Sequence, residues 1–375
     1  MPVPLTVRGP TRVARRVASA VVAVMALVAA LSAMGSCSAR GPTVSASAGG
    51  AGSSTAGQAA SAPTLAPADR AEVLDLLRRR AAAVVAGDEQ GYAATVADSS
   101  GAAARRQLAA FAAARALRVS RLEATLPVDQ QPTPSAGSTA LTSPTTTTSP
   151  TRGATTTVQA DLRYRVDDHD TVDRTARVSV DLLVTDAGRW AVAAEEPTGP
   201  GAAPPWLAMP DLRVRRGSHA VVAGSVPAPR LDELARVVDG TLPTLRTQWA
   251  RTPGRVLVLA PATAEEADRL LGRSASDGSA VAATTEGPTG SDDRATGDRI
   301  VLDPTAYARL TRSGRAVVLT HELAHVAVRS TVPGRPAAWL AEGYADHVGY
   351  ARADVPDARL LAPLLTRVRA GQLPT

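Results

Sequence analysis

The segment His321-Glu322-Leu323-Ala324-His325 constrains this chain more than any other feature. It lies in Ser313 to Arg329, whose apolar periodicity reads as a helix with Ser313 as N-cap. Residues four apart on a helix face the same way, so the two imidazoles can converge on one ion. Glu322 sits one step round, close enough to reach a water on that ion without ligating it. That is the physical content of an HExxH pattern. The chain has only 5 His in 375 residues. Chance occurrence of the pattern is below about 0.01.

A catalytic metal takes three protein ligands and keeps one position open. Val332-Pro333-Gly334-Arg335-Pro336 is a turn-rich break where the chain can reverse. A second helix carrying Trp339-Leu340-Ala341-Glu342-Gly343-Tyr344-Ala345-Asp346 then returns over the first. Glu342 can supply the third ligand. Asp346 is one turn on and shares that face. It can accept a hydrogen bond from the distal nitrogen of His321 or His325. The plainer alternative for Asp346 is a solvated helix charge.

Composition excludes several other chemistries. There is no Lys and no Asn, so all 41 basic residues are Arg. This reads as the bias of a GC-rich genome rather than a device for nucleic acid. Missing Lys excludes a phosphate-binding P-loop, and missing Asn excludes N-glycosylation acceptors. A single Cys excludes an intramolecular disulfide framework and multi-Cys metal sites. No GxSxG or SxxK motif supports a serine hydrolase. Aromatics make up only 3%, so the cores must be built from Ala, Val and Leu.

Residues 1–36 read as a secretory signal. Arg8, Arg12, Arg15 and Arg16 precede the apolar run Val17 to Ala33. Met34-Gly35-Ser36-Cys37 then resembles a bacterial lipobox, which implies lipidation of Cys37 and an extracytoplasmic, lipid-anchored body. The alternative is an uncleaved N-terminal transmembrane anchor. Without residues 1–36 the charge is 41 − 4 = 37 basic against 35 acidic, or +2 rather than +6. No nucleic-acid partner is expected. Residues 37–66, rich in Ser, Ala, Gly and Thr, read as a flexible linker.

The expected fold class is α+β, in two domains. Pro67 to Ala86 and Ala102 to Ala124 read as helices. Alternating strands follow at Val158 to Val166 and Val178 to Val184, and Arg189 to Val192 reads as a third after an Asp-Ala-Gly turn. Helices ahead of a curved antiparallel sheet resemble an NTF2-like domain over 67–197, interrupted by a Ser/Thr/Pro-rich disordered insertion at 127–157. His169, among Asp167, Asp168 and Asp170, reads as part of a hairpin turn. Residues 198–210 read as an interdomain linker. The second domain, 211–375, holds strand-like Leu212 to Val222, a helix at Leu231 to Trp249, a strand at Arg255 to Leu259 and a helix at Thr263 to Leu271. Ser274 to Asp298 reads as a surface loop, and Arg299 to Leu302 as a short strand. Trp190, Trp206, Trp249 and Trp339 read as core or linker anchors.

HELAH followed by WLAEGYAD resembles the gluzincin metallopeptidases, and most closely the peptidase MA-like domains of bacterial extracytoplasmic proteins. The resemblance implies a gluzincin-like α+β domain with one catalytic Zn2+ held by His321, His325 and Glu342. It implies Glu322 as general base toward a zinc-activated water, and a peptide or protein substrate. It also implies that the Arg299 to Leu302 strand is the sheet edge lining the cleft. Tyr350 and His347 are candidates for the oxyanion donor, and Tyr344 reads as packing. The sequence departs from the family in two ways. Sixteen residues separate His325 from Glu342, and the Gly-Ala-Met-Glu-Asn signature of aminopeptidase-N-like members is absent. Two functions follow: a membrane-anchored zinc metallopeptidase, or a lipoprotein binding module whose peptidase-like domain is weak or inactive.

Overall fold

The computed structural model describes residues 65–98, 100–127, 153, 155–199, 201–273, 281–351 and 357–371. The signal, Cys37 and most of the expected insertion lie outside the described residues.

The chain from Thr64 to Asp354 forms one compact unit. It opens with helices α1 (Pro67–Ala86), α2 (Glu89–Ala93) and α3 (Ala102–Leu117). Gly87 ends α1 in the left-handed region at φ 76°, where a Cβ would be strained. The stretch expected as one helix over 102–124 instead breaks at Arg118, which adopts φ 61°. Strand β1 (Val119–Thr125) follows. The Ala-rich helical composition fades there into Val-Ser-Arg-Leu-Glu-Ala-Thr, which alternates across a sheet rather than round a helix.

Strands β2 (Thr155–Val166), β3 (Arg174–Val184) and β4 (Trp190–Pro197) complete an antiparallel sheet in the order β1-β2-β3-β4. Thr155 to Thr157, expected within the insertion, belong to β2. Its inward residues Ala160, Leu162 and Tyr164 are buried. Within the stretch expected as a linker, residues 203–209 are buried. A short helix α4 (Pro205–Ala208) buries Trp206, Leu207 and Ala208, and Trp206 stands edge-on to Tyr164 with ring centroids 4.9 Å apart.

A mixed five-stranded sheet follows. It comprises β5 (Arg213–Arg216), β6 (Ala220–Gly224), β7 (Val256–Ala260), β8 (Ala283–Glu286) and β9 (Arg299–Leu302), ordered β5-β6-β7-β9-β8. β6, β7 and β9 run parallel, and β8 pairs antiparallel to β9. This corrects two expectations. The Ser274 to Asp298 stretch contains a strand, and among the described residues that strand, β8, is an edge of the sheet. β9 is paired on both sides. The Gly- and Thr-rich composition concealed a strand of only four residues.

Helices α5 (Ala228–Gln248), α6 (Ala264–Leu271), α7 (Pro304–Arg309), α8 (Arg312–Thr331) and α9 (Ala338–Ala351) complete this part. Alternation divides the mixed sheet between two cores. Val221, Ala223, Leu257, Leu259 and Val301 join the core that holds the antiparallel sheet. Val222, Val258 and Ile300 pack instead with Leu234 and Val238 of α5 and Leu319 and Leu323 of α8. The mixed sheet is thus a central layer, and the site helix lies on its second face. A last helix, α10 (Asp357–Arg369), falls in a separate unit. No helix among the described residues is long and apolar enough to cross a membrane.

Candidate metal centre

Helix α8 begins at Thr311, whose side chain accepts a hydrogen bond from the Gly314 N–H. The N-cap is therefore two residues before the expected Ser313. Leu319, Leu323, Val326 and Ala327 are fully buried in the second core. His321 and His325 come two residues after Leu319 and Leu323, about 200° round the helix, and so face away from that core. Burying the apolar stripe therefore presents both imidazoles.

The break at Val332 to Pro336 reverses the chain, and α9 returns against α8. Ala345 is fully buried at this contact. A Cβ on Gly349 would lie 3.1 Å from the Val317 carbonyl oxygen and 3.5 Å from the His321 Cβ. Small residues at 345 and 349 therefore permit the close helix approach that carries Glu342 and Asp346 to the histidines.

The Nε2 atoms of His321 and His325 are 3.0 Å apart. Glu342 places Oε2 3.3 Å from His321 Nε2 and Oε1 3.5 Å from His325 Nε2. Ligands at about 2.0–2.1 Å from a tetrahedral ion stand about 3.3 Å from one another. The three side chains match that spacing, and this group could hold a metal ion. Glu342 is 46% exposed against 19% and 16% for the two His, so the group opens to solvent on the α9 side.

Asp346 Oδ1 lies 3.0 Å from His321 Nδ1. That nitrogen donates to the carboxylate, which leaves the Nε2 lone pair directed at the group. Burial opposes a charge on His321. The hydrogen bonds to Asp346 and Glu342 outweigh it and push the imidazole up to about 10. Hydrogen bonds from His321 and His325 hold Glu342 well below the usual carboxylate range. Without metal, a proton therefore ties the group together, and metal binding must displace it.

Glu322 is 6% exposed, between the core stripe and the histidine face. Its Oε2 accepts a hydrogen bond of 2.6 Å from Thr285 Oγ1 on β8. Sequence reasoning did not single out Thr285, because nothing in a Gly- and Thr-rich stretch marks one hydroxyl from the next.

Tyr350 is half-buried one turn beyond Asp346, and burial together with the Asp346 charge raises its phenol. His347 is exposed and lines a cavity of about 340 Å3 with Gln248, Trp249 and Tyr344. It is five residues on from Glu342, roughly 140° round the helix, and is not brought to the metal group. Tyr344 packs edge-on against Trp249 and accepts its indole N–H at 2.6 Å. Trp339 is 53% exposed, which corrects its reading as a core anchor. It precedes Glu342 by three residues, at the start of a helix whose buried side is made of small residues.

The Asp167 to Asp173 segment is the turn between β2 and β3, as expected. It carries Asp170 into a buried contact with Arg299 of β9. No family model, curated protein or solved structure matches the chain.

Proposed function

We propose that this chain is an extracytoplasmic, membrane-anchored zinc-dependent metallopeptidase of gluzincin type, with an NTF2-like module ahead of its peptidase MA-like part. One observation carries the reading. The Nε2 atoms of His321 and His325 and the Glu342 carboxylate converge at 3.0–3.5 Å, and a buried carboxylate stands next to them on the same helix.

Zinc is the metal we assign, because two imidazoles, one carboxylate and an open fourth position form a catalytic zinc donor set. Zinc bound there supplies Lewis acidity to a scissile carbonyl and to the attacking water. The chain's own residues supply the rest. Glu322 takes a proton from the attacking water on its carboxylate and returns it to the leaving amine. Asp346 holds His321 in the orientation that keeps Nε2 turned to the group. Among the described residues β8 pairs only with β9, and its outer edge is the one we assign to an extended peptide by strand addition. Attachment is assigned to a lipidated Cys37, with an N-terminal membrane-spanning segment as the alternative. Mass spectrometry of the mature N-terminus separates the two.

The test is a zinc-loaded full chain against a quenched fluorogenic peptide library. We expect one zinc per chain and measurable cleavage. Glu322→Gln should keep the zinc and lose about 10²–10⁴-fold in rate. A zinc-loaded wild type that cleaves nothing, or a fully active Glu322→Gln, overturns the reading.

A further inference from the structure

We propose that Thr285 is a positioning residue for Glu322, an inference that takes the hydrolytic reading above as its premise. Thr285 lies on β8 opposite Ile300 of β9. Its two neighbours tether the strand from the other face. Glu286 pairs with Arg174 at 3.2 Å, and Thr284 Oγ1 meets Arg273 at 3.5 Å. Strand alternation then turns Thr285 toward α8.

Its Oγ1 lies 2.6 Å from Glu322 Oε2 and 3.2 Å from the Glu322 carbonyl oxygen. A hydroxyl carries one proton, and the charge-assisted bond to the carboxylate is the stronger of the two. Glu322 has little contact with solvent, so this bond sets the rotation of its carboxylate. Oε2 is held on β8, and Oε1 is the oxygen left to receive a proton. A base must hold its accepting lone pair in line with the donor, and an ångström of misplacement costs roughly a hundredfold in rate. The strand that aims the base is also the sheet edge, so seating a peptide there and orienting Glu322 draw on the same element.

The experiment compares Thr285→Val, which keeps the shape without the hydroxyl, with Thr285→Ser, which restores it. The substrate is a fluorogenic peptide cleaved by the wild type. In Thr285→Val we expect kcat to fall about 10- to 100-fold with KM within about twofold and one zinc retained. Thr285→Ser should recover most of the loss. A wild-type kcat in Thr285→Val overturns the proposal, and so does loss of zinc from that variant, because the effect would then run through the metal.

Urea unfolding of the full chain supplies a readout independent of activity. In a cycle of Thr285→Val with Glu322→Ala, the unfolding constants should show a coupling of about tenfold. If the zinc-loaded wild type cleaves no peptide, the hydrolytic reading fails by itself. The coupling then decides whether Thr285 orients Glu322, and additive effects reject it.

Discussion

Two of the clusters of charged and titratable groups among the described residues stand in contrast, one closed and one open. At the junction of the two sheets, Asp170 and Arg299 each have side chains 1% exposed, and Nη2 of Arg299 meets both carboxylate oxygens at 3.1 and 2.8 Å. Arg174 Nε and the Val166 N–H add further donors to the same carboxylate. Arg174 reaches on to Glu286 of β8. Here the chain supplies both signs of charge, and each carboxylate oxygen is satisfied from within. At the α8–α9 contact it supplies only two imidazole nitrogens and carboxylates, converging beside solvent. Without metal a proton on the imidazoles balances the carboxylates, and with a half-exposed member the group could hold a metal ion in place of that proton. The closed cluster is a structural joint. The open one is the candidate ligand set.

Breaking the joint should have the largest effect. Removing one partner of a buried pair strands the other charge, so Arg299→Met should lower unfolding stability by about 3–5 kcal/mol in urea titration. Combining it with Asp170→Leu should recover much of that loss. Zinc stoichiometry of the folded single variant should stay at one per chain, which separates the two clusters. The converse change is His325→Ala. Zinc sites worth about 10–16 kcal/mol over four ligands give about 3 kcal/mol per ligand, or more than a hundredfold in affinity. Competition with a chromogenic chelator measures this loss. Asp346→Ala should act in the same direction more weakly. It leaves the ligands in place and removes the partner that orients His321, for about 10–100-fold in zinc affinity. An unchanged affinity would return Asp346 to the role of a solvated helix charge.

These clusters also differ in how far the sequence discloses them. The open group is legible because its members are local. His321 and His325 are one turn apart, and Glu342 follows a single Pro- and Gly-bounded reversal. Helical periodicity brings the two His to one face, and the reversal returns Glu342 over it. The joint is not legible in this way. Asp170 and Arg299 are 129 residues apart, and only the packing of one sheet against the other brings them together. The same limit hid Thr285, which reaches Glu322 across 37 residues through the register of an edge strand of four residues. The fold shows a parallel contrast. Alternation in β2 and β3 was readable, because inward Val, Leu and Tyr alternate with outward Thr, Gln and Arg, while β4 was readable from the Asp-Ala-Gly turn before it. The helix-to-strand switch at Arg118 was not, since no Gly or Pro marks the left-handed residue.

The smallest expected effect tests whether the joint stays closed to protons as well as to water. His169 sits beside Asp170 with its side chain 2% exposed. Burial and the neighbouring Arg299 push its imidazole down to about 3, against the opposing pull of Asp170. In the unfolded chain an imidazole titrates near 6.5. Between those values the unfolded state binds the extra proton, so stability rises with pH and is lost as pH falls below about 6.5. For this one group the loss from pH 6.5 to 5.5 is about 1 kcal/mol. His321 shifts the opposite way, since its raised value makes the folded state the better proton binder. The joint is therefore read from the difference between wild type and His169→Met, in which His321 cancels. That difference in unfolding free energy should shrink by about 1 kcal/mol between pH 6.5 and 5.5, as the wild type alone loses the His169 contribution. A difference independent of pH would mean that His169 protonates in place, and the joint would then be open to the same chemistry as the metal group.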